Sequence, residues 1–171
     1  SMFIVKPDEE YINYIDFSTL GILFCLMAVM AGLQRMGVFR EIAEALLSKV
    51  QKTWQIVLIL VMLCFFFSML ITNDVALITF VPFTFVVGKM LGEEIYKPMV
   101  LPTVVLQTIA ANLGSMLTPI GNPQNLYLYG ISGMGLGEFV QIMLPYSLLS
   151  LLLVVVSSEV LGLGLDKKAG G

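Results

Sequence analysis

The sequence predicts an all-α integral membrane protein, and two observations carry that prediction: its composition and the spacing of its charges. Of its 171 residues, 58% are hydrophobic and 12% are charged, whereas soluble domains carry about a quarter charged residues. A helix needs about 20 apolar residues to cross a bilayer. Several uncharged stretches approach or exceed that length, namely 17–34, 53–73, 75–88, 98–137 and 139–158. We therefore expect membrane-spanning helices.

The same composition argues against other classes of protein. The net charge is −3, so no basic surface predicts a nucleic-acid partner. Histidine is absent, which removes the commonest metal ligand and the side chain that titrates near neutral pH. Cys25 and Cys64 lie in apolar stretches and are interpreted as small core residues rather than as a disulfide or a metal site. We predict no cofactor.

The N-terminal third of the chain contains three predicted segments. Residues 1–14 form a polar arm, and residues 15–37 form the first spanning helix. In residues 38–52, apolar side chains recur at helical spacing opposite a polar face, which predicts an amphipathic helix in the membrane interface. A cytosolic loop with some helicity is the alternative for this segment.

Lysine and arginine residues predict how the chain is oriented in the cell membrane. Cytoplasmic loops of membrane proteins carry an excess of these residues. Eight of the nine lie in residues 35–52, in residues 89–97 or after the last helix. We therefore expect the N-terminus outside and the loops 35–52 and 89–97 in the cytoplasm. The last spanning helix is predicted over residues 138–161, and residues 162–171 are a predicted linker or tail.

A polar interruption at residues 72–74 divides an otherwise apolar stretch. Asp74 is the only charged residue between Lys52 and Lys89, and a charge deep in a bilayer normally faces a cavity and has a function. Residues 53–88 are too few for two full spans and a turn, which need about 40. The segment 54–88 is therefore either a re-entrant hairpin with its tip at residues 72–74, or two short spans joined by an extracellular turn.

A second interruption lies inside a predicted helix over residues 98–135. Ten of the fourteen residues in 112–125 are Asn, Gln, Ser, Thr, Gly or Pro. Pro119 and Pro123 remove backbone donors, and Gly114 and Gly121 permit unusual backbone angles. Unwound backbone survives at membrane depth only where it is buried in protein or lines a wet cavity. Its oxygens suit Na⁺ and helix N-termini suit anions, so we favour a binding site over an external loop.

Both interruptions resemble motifs of one known group of proteins. Residues 71–77 (Ile-Thr-Asn-Asp-Val-Ala-Leu) and residues 112–125 are similar to motifs of the ion transporter superfamily. That group includes arsenite permeases, citrate and dicarboxylate transporters and certain Na⁺/H⁺ antiporters, and the resemblance extends from Phe17 to Leu161. It implies a re-entrant hairpin with its tip at residues 72–74 and a helix broken around residues 121–123. Tip and break together would form a cation and substrate site.

The function implied by the resemblance is secondary active transport of a small anion or oxyacid, by alternating access, coupled to Na⁺ or H⁺. The predicted site residues belong to the two motifs and are Thr72, Asn73, Asp74, Asn112, Ser115, Thr118, Gly121, Asn122 and Asn125. Three of them, Asn73, Asp74 and Gly121, are the candidate Na⁺ ligands. The tip reads Ser-Asn-Thr in the dicarboxylate branch and Thr-Asn-Asp here, which is closer to the arsenite-permease branch. A charged Asp74 would repel a dicarboxylate unless Na⁺ or H⁺ neutralised it.

The superfamily is built from two inverted halves, each with one hairpin and one broken helix. This chain carries one copy of each, so the resemblance implies the first structural half, with the missing half and the lipid bilayer as partners. A homodimer of antiparallel copies is an alternative that the one-sided basic residues disfavour. A channel-like pore, a membrane-embedded enzyme and a structural subunit are rival functions. An enzyme is disfavoured because Asp74 is the only deep ionisable group.

Overall fold

A computed structural model describes residues 17–37, 41, 45, 48 and 52–169. Within that part of the chain all regular secondary structure is helical, which confirms the predicted fold class. The helices are α1 (Phe17–Arg35), α2 (Thr53–Leu70), α3 (Asn73–Met90), α4 (Glu93–Ser115), α5 (Pro123–Ser132) and α6 (Leu136–Ala169). Three of them, α2, α3 and α6 over Leu136–Leu165, are long and apolar enough to cross a membrane. The predicted polar arm and, apart from single positions, the predicted interfacial helix lie outside the described residues.

Two helices extend beyond their predicted ends. Helix α6 continues to Ala169, so residues 162–169 are helical and do not form the predicted linker. Helix α4 begins at Glu93 rather than at residue 98, because Glu93 and Glu94 lie in its first turn, where negative charge stabilises the helix dipole. In both cases the charged residues, predicted to lie in a loop or in a linker or tail, lie at the end of a helix.

Helix α2 is the centre of the fold. It packs against α4, α6 and α3, and α4 packs in turn against α3 and α6. The core side chains on α2 include Val57, Leu60, Val61, Cys64 and Phe65, none of which is exposed to solvent. Helix α1 contacts α5 more than any other helix. The hairpin arm α2 thus lies between α3, α4 and α6, and the arm α3 packs against α4.

Two glycines let helices approach α2 closely. A Cβ on Gly114 of α4 would overlap the carbonyl oxygen of Phe65 and lie 2.6 Å from Ser68 Oγ. A Cβ on Gly162 of α6 would overlap the Cα of Trp54. Small residues allow this kind of close packing between membrane helices, where burial from water does not drive association. Gly162 and Trp54 therefore lie at the same depth.

That contact allows the lengths of two neighbouring helices to be compared. From Gly162 back to Leu136, α6 rises about 39 Å at 1.5 Å per residue. From Trp54 to Ile71, just after the end of α2, the rise is only about 25 Å. The hairpin arm α2 is therefore about 14 Å shorter than the part of α6 that precedes Gly162.

Candidate functional site

The hairpin turn consists of two extended residues between α2 and α3. Ile71 (φ −122°, ψ 168°) and Thr72 (φ −65°, ψ 149°) are non-helical, and α3 begins at Asn73. Asn73 and Asp74 therefore belong to the first turn of α3, whereas the predicted tip covered residues 72–74. The N–H of Ile71 donates to the carbonyl of Phe67 at 2.9 Å, and the Ile71 side chain is buried.

The second break is real but shorter than predicted. Helix α4 continues to Ser115, so Asn112 and Ser115 lie on a helix, and the non-helical segment covers residues 116–122 rather than 112–125. Asn122 caps α5, since its Oδ1 accepts from the N–H of Asn125 at 2.8 Å. Pro123 is at the first position of α5, where proline is favoured because that N–H would lack a partner anyway. Polar composition therefore overestimated the length of the break.

The two breaks are bonded to each other. The backbone N–H of Asn73 donates to the carbonyl of Gly121 at 3.1 Å. The side chain of Asn73 donates to Asn112 Oδ1 at 2.8 Å, although the two residues are 39 positions apart. Thr118 Oγ1 donates to the carbonyl of Met69, the residue before the last one of α2. Hairpin turn, helix α4 and the unwound segment thus meet at one place, which we call the junction.

Several predicted site residues support the unwound backbone. Asn125 Nδ2 donates to the carbonyl of Met116 at 3.0 Å and to that of Thr118 at 3.4 Å. Asn122 Nδ2 donates to Ser115 Oγ at 3.3 Å and to the Ser115 carbonyl at 3.5 Å. A Cβ on Gly121 would overlap the Ser115 carbonyl oxygen, so only glycine fits there. Ser115 and Asn125 are buried, and their polar atoms hold the fold of the segment.

Three predicted residues keep polar atoms at the surface of the junction. Asp74 and Asn112 are exposed and Asn73 is half-buried. The N–H of Asp74 donates to Asn73 Oδ1 at 3.0 Å, but within the described part of the chain its carboxylate accepts no hydrogen bond. Thr72 contributes its carbonyl, which accepts from the N–H of Ala76 at 3.0 Å. All nine predicted residues thus lie at or beside the junction, with different roles.

The junction combines two helix N-termini with one carboxylate. The first N–H groups of a helix lack partners within it and attract negative charge. Helices α3 and α5 both begin at the junction, and Asp74 lies in the first turn of α3. Such a place can hold oxygen atoms of an anion or oxyacid, with a cation or a proton balancing Asp74. The Gly121 carbonyl, a candidate Na⁺ ligand, already accepts from Asn73.

The sequence analysis did not identify three residues that form hydrogen bonds between helices or segments, one at the junction and two away from it. The Met69 carbonyl receives the Thr118 hydroxyl, and no side-chain pattern marks a backbone acceptor. Gln107 and Thr84 form a separate buried polar pair, with Thr84 Oγ1 donating to Gln107 Oε1 at 2.9 Å. Gln107 was detectable as the one amide in residues 98–111, an otherwise mostly apolar stretch.

The chain is similar in sequence to transporters and to another membrane protein. The chain is 32% identical over 155 residues to an uncharacterized transporter of Methanocaldococcus jannaschii, covering 89% of the chain and 42% of the relative. It is 29% identical over 157 residues to the inner membrane protein YbiR of Escherichia coli, covering 90% and 41%. It is 30% identical over 142 residues to the silicon efflux transporter LSI3 of Oryza sativa subsp. japonica, covering 83% and 28%.

The chain spans less than half the length of these relatives. No solved structure is significantly similar to it. A family model described as citrate transporter matches residues 2–164, which is nearly the whole chain and includes both breaks. The chain therefore belongs to the citrate transporter family.

Proposed function

We propose that this chain is the site-bearing first half of a secondary active transporter that moves a small anion or oxyacid, coupled to Na⁺ or H⁺, by alternating access. The observation that carries the proposal is the junction, where the hairpin turn and the helix break are hydrogen-bonded through Asn73, Gly121 and Asn112. Two relatives are named transporters, one of them for silicon efflux. An oxyacid is a small, oxygen-rich solute that suits the hydrogen-bonding groups of the junction.

The hydrogen-bonding groups of the junction favour an oxygen-rich solute. The dipoles of the two helices favour negative charge at their N-termini, although the N–H groups of Asn73, Asp74 and Asn125 already have acceptors. The Asn73 and Asn112 amides each have an N–H beyond the one they use. Asp74 is an acceptor while ionised and a donor when protonated. A neutral oxyacid can accept from the N–H groups and donate to Asp74. An anion needs Asp74 neutralised by Na⁺ or H⁺, and that requirement would couple the two fluxes.

The length of α2 supports the re-entrant interpretation of the hairpin. From Trp54 to Ile71 the chain rises about 25 Å, which is less than the thickness of a hydrocarbon core of about 30 Å. With Trp54 at the membrane boundary, where Trp is favoured, the turn would lie inside the core. In this proposal the N-terminus is outside, and residues 35–52 and 89–97 face the cytoplasm of a cell-membrane protein.

The exposed polar atoms at the junction also support the need for a second half. Asp74 and Asn112 are exposed, and exposed polar groups are costly against lipid. We propose that a second, inverted half covers them in the complete transporter. Two antiparallel copies of this chain are the alternative, and the one-sided basic residues disfavour it.

Reconstitution in liposomes tests the function. The full-length transporter and this chain would be reconstituted side by side, and uptake of arsenite, silicic acid, citrate and succinate measured under Na⁺ or pH gradients. We expect saturable, gradient-driven uptake by the full-length protein, loss of that uptake in Asp74→Asn, and none by the chain alone. Uptake without any gradient dependence would indicate a channel-like pore instead. Saturable uptake by the chain alone, lost in Asp74→Asn, would favour the homodimer.

A further inference from the structure

Gln107 joins both arms of the hairpin to α4, away from the junction. Its Nε2 donates to the carbonyl of Leu60 in α2 at 3.3 Å and to that of Phe80 in α3 at 3.5 Å. Its Oε1 accepts from Thr84 Oγ1 in α3 at 2.9 Å. Gln107 and Thr84 are both fully buried. One side-chain amide of α4 therefore links this helix to both α2 and α3.

Such bonds between helices are uncommon among the residues that the structure describes. Most hydroxyls of the described helices donate to a carbonyl three or four residues back in their own helix, as Thr79, Thr103 and Ser158 do. Between α3 and α4, side-chain bonds occur only at Asn73–Asn112 and around Gln107 among the described residues. In a membrane, burial from water does not hold helices together, so such bonds and packing determine their arrangement.

The second attachment lies beside a weak point of α3. Pro82 is inside this helix, and proline removes one backbone hydrogen bond and allows a helix to bend. Phe80 and Thr84, the two α3 partners of Gln107, lie two residues before and two residues after Pro82. The amide of Gln107 thus forms hydrogen bonds with α3 on both sides of the proline and opposes bending there.

The bonds of Gln107 to Phe80 and Thr84 determine where the N-terminal end of α3 lies. Asn73 and Thr84 are 11 residues apart, about 16 Å along the helix. With only the two bonds of Asn73, to Asn112 and to the Gly121 carbonyl, α3 could pivot at the junction and bend at Pro82. A second attachment at that distance determines the direction of the helix axis. The N-terminal N–H groups and Asp74 take their position from that direction.

We propose that Gln107 is a positioning residue, which holds α3 straight across Pro82 and thereby places Asn73 and Asp74 against the broken helix. Its consequence for transport rests on the proposed function, but its effect on geometry does not. The placement can therefore be tested in this chain without any substrate.

The test measures the rate at which positions 73 and 112, on the two sides of the junction, are cross-linked. Asn73→Cys and Asn112→Cys are introduced together with Cys25→Ser, while the buried Cys64 is kept. The rate at which dibromobimane cross-links the two cysteines is measured in detergent, and helix content is followed by circular dichroism. This background lacks the Asn73–Asn112 bond but keeps the backbone bond from Asn73 to Gly121, so the position of α3 depends more strongly on Gln107.

We expect Gln107→Leu to slow the reaction about fivefold, the factor that corresponds to one interhelical hydrogen bond in a membrane. Thr84→Val should slow it in the same direction. The matched control is Thr103→Val, since Thr103 is equally buried but bonds only to Met99 of its own helix. It should leave the rate unchanged within twofold. Adding Pro82→Ala restores the missing backbone bond and should recover most of the rate lost in Gln107→Leu.

Three results would overturn the proposal. The first is an unchanged rate in both Gln107→Leu and Thr84→Val with normal helix content. The second is a loss of helix content in both variants while Thr103→Val stays folded, because Gln107 would then stabilise the fold rather than position α3. The third is a failure of Pro82→Ala to restore the rate. None of these outcomes depends on whether the full-length protein transports a solute.

Discussion

Replacing Gly114 by alanine should separate α4 from α2 and disturb the junction. A Cβ at this position would overlap the Phe65 carbonyl oxygen and lie 2.6 Å from Ser68 Oγ. The Phe65 carbonyl belongs to helical backbone, so it cannot move aside as a flexible side chain does. The new methyl group therefore has to push the two helices apart.

The size of the effect follows from two opposing contributions. Alanine is favoured over glycine inside a helix by about 0.8–1 kcal/mol. Overpacking a tight contact costs about 1–3 kcal/mol, and the overlap with backbone places this site at the upper end. We expect a net destabilisation of about 1–2 kcal/mol. For a chain of this length that lowers the Tm by about 2–8 °C.

The matched control is Gly130→Ala in α5. Gly130 is also helical, but a Cβ there would have no neighbour within 4 Å. It should gain the helix propensity without the overlap and raise the Tm by about 1–4 °C. Both variants would be melted in the same detergent, with helix content followed by circular dichroism. Equal Tm shifts in the two variants would refute the close contact between α2 and α4.

Three further predictions concern the junction. In the full-length transporter, Asp74→Asn should abolish gradient-coupled transport while expression stays near normal, and unchanged ion dependence would contradict a coupling role. In a Cys25→Ser background in cells, Asn73→Cys should react poorly with a membrane-impermeant thiol reagent added outside; labelling as fast as that of a cysteine in residues 1–14 would exclude a re-entrant turn. Asn122→Ala should cost about 1 kcal/mol through loss of the α5 cap, whereas Asn122→Ser should keep most of that stability in a thermal melt.

The sequence predicted the presence of the membrane helices better than it predicted where they begin and end. Uncharged length predicted the membrane helices, because that signal depends on composition alone. Helix ends were less predictable: Glu93 and Glu94 suggested a loop although they stabilise the start of α4. In the same way Pro123 suggested a continued break although it begins α5. A residue type that interrupts a helix in its interior is favoured at its first turn.

The sequence located the polar residues of the junction but not the contacts that each of them makes. The density of Asn, Ser, Thr and Gly in residues 112–125 marked polar chemistry, and all nine predicted residues lie at or beside the junction. Which of them hold backbone and which stay exposed depends on contacts 39 or 49 positions apart in the chain, such as Asn73 with Asn112 and Thr118 with Met69. No local pattern contains such pairings.

These roles limit where the selectivity of the junction can come from. Unwound backbone inside a membrane must have its polar groups satisfied by the protein, and Ser115, Asn122 and Asn125 meet that need with their side chains. Substitutions there should first alter folding, because each removes a support of the break. The exposed side chains Asp74 and Asn112, with the half-buried Asn73 between them, are freer to vary with the solute. Because Asp74 is the only acidic residue of this group, we propose that its charge decides whether the junction accepts an anion or a neutral oxyacid.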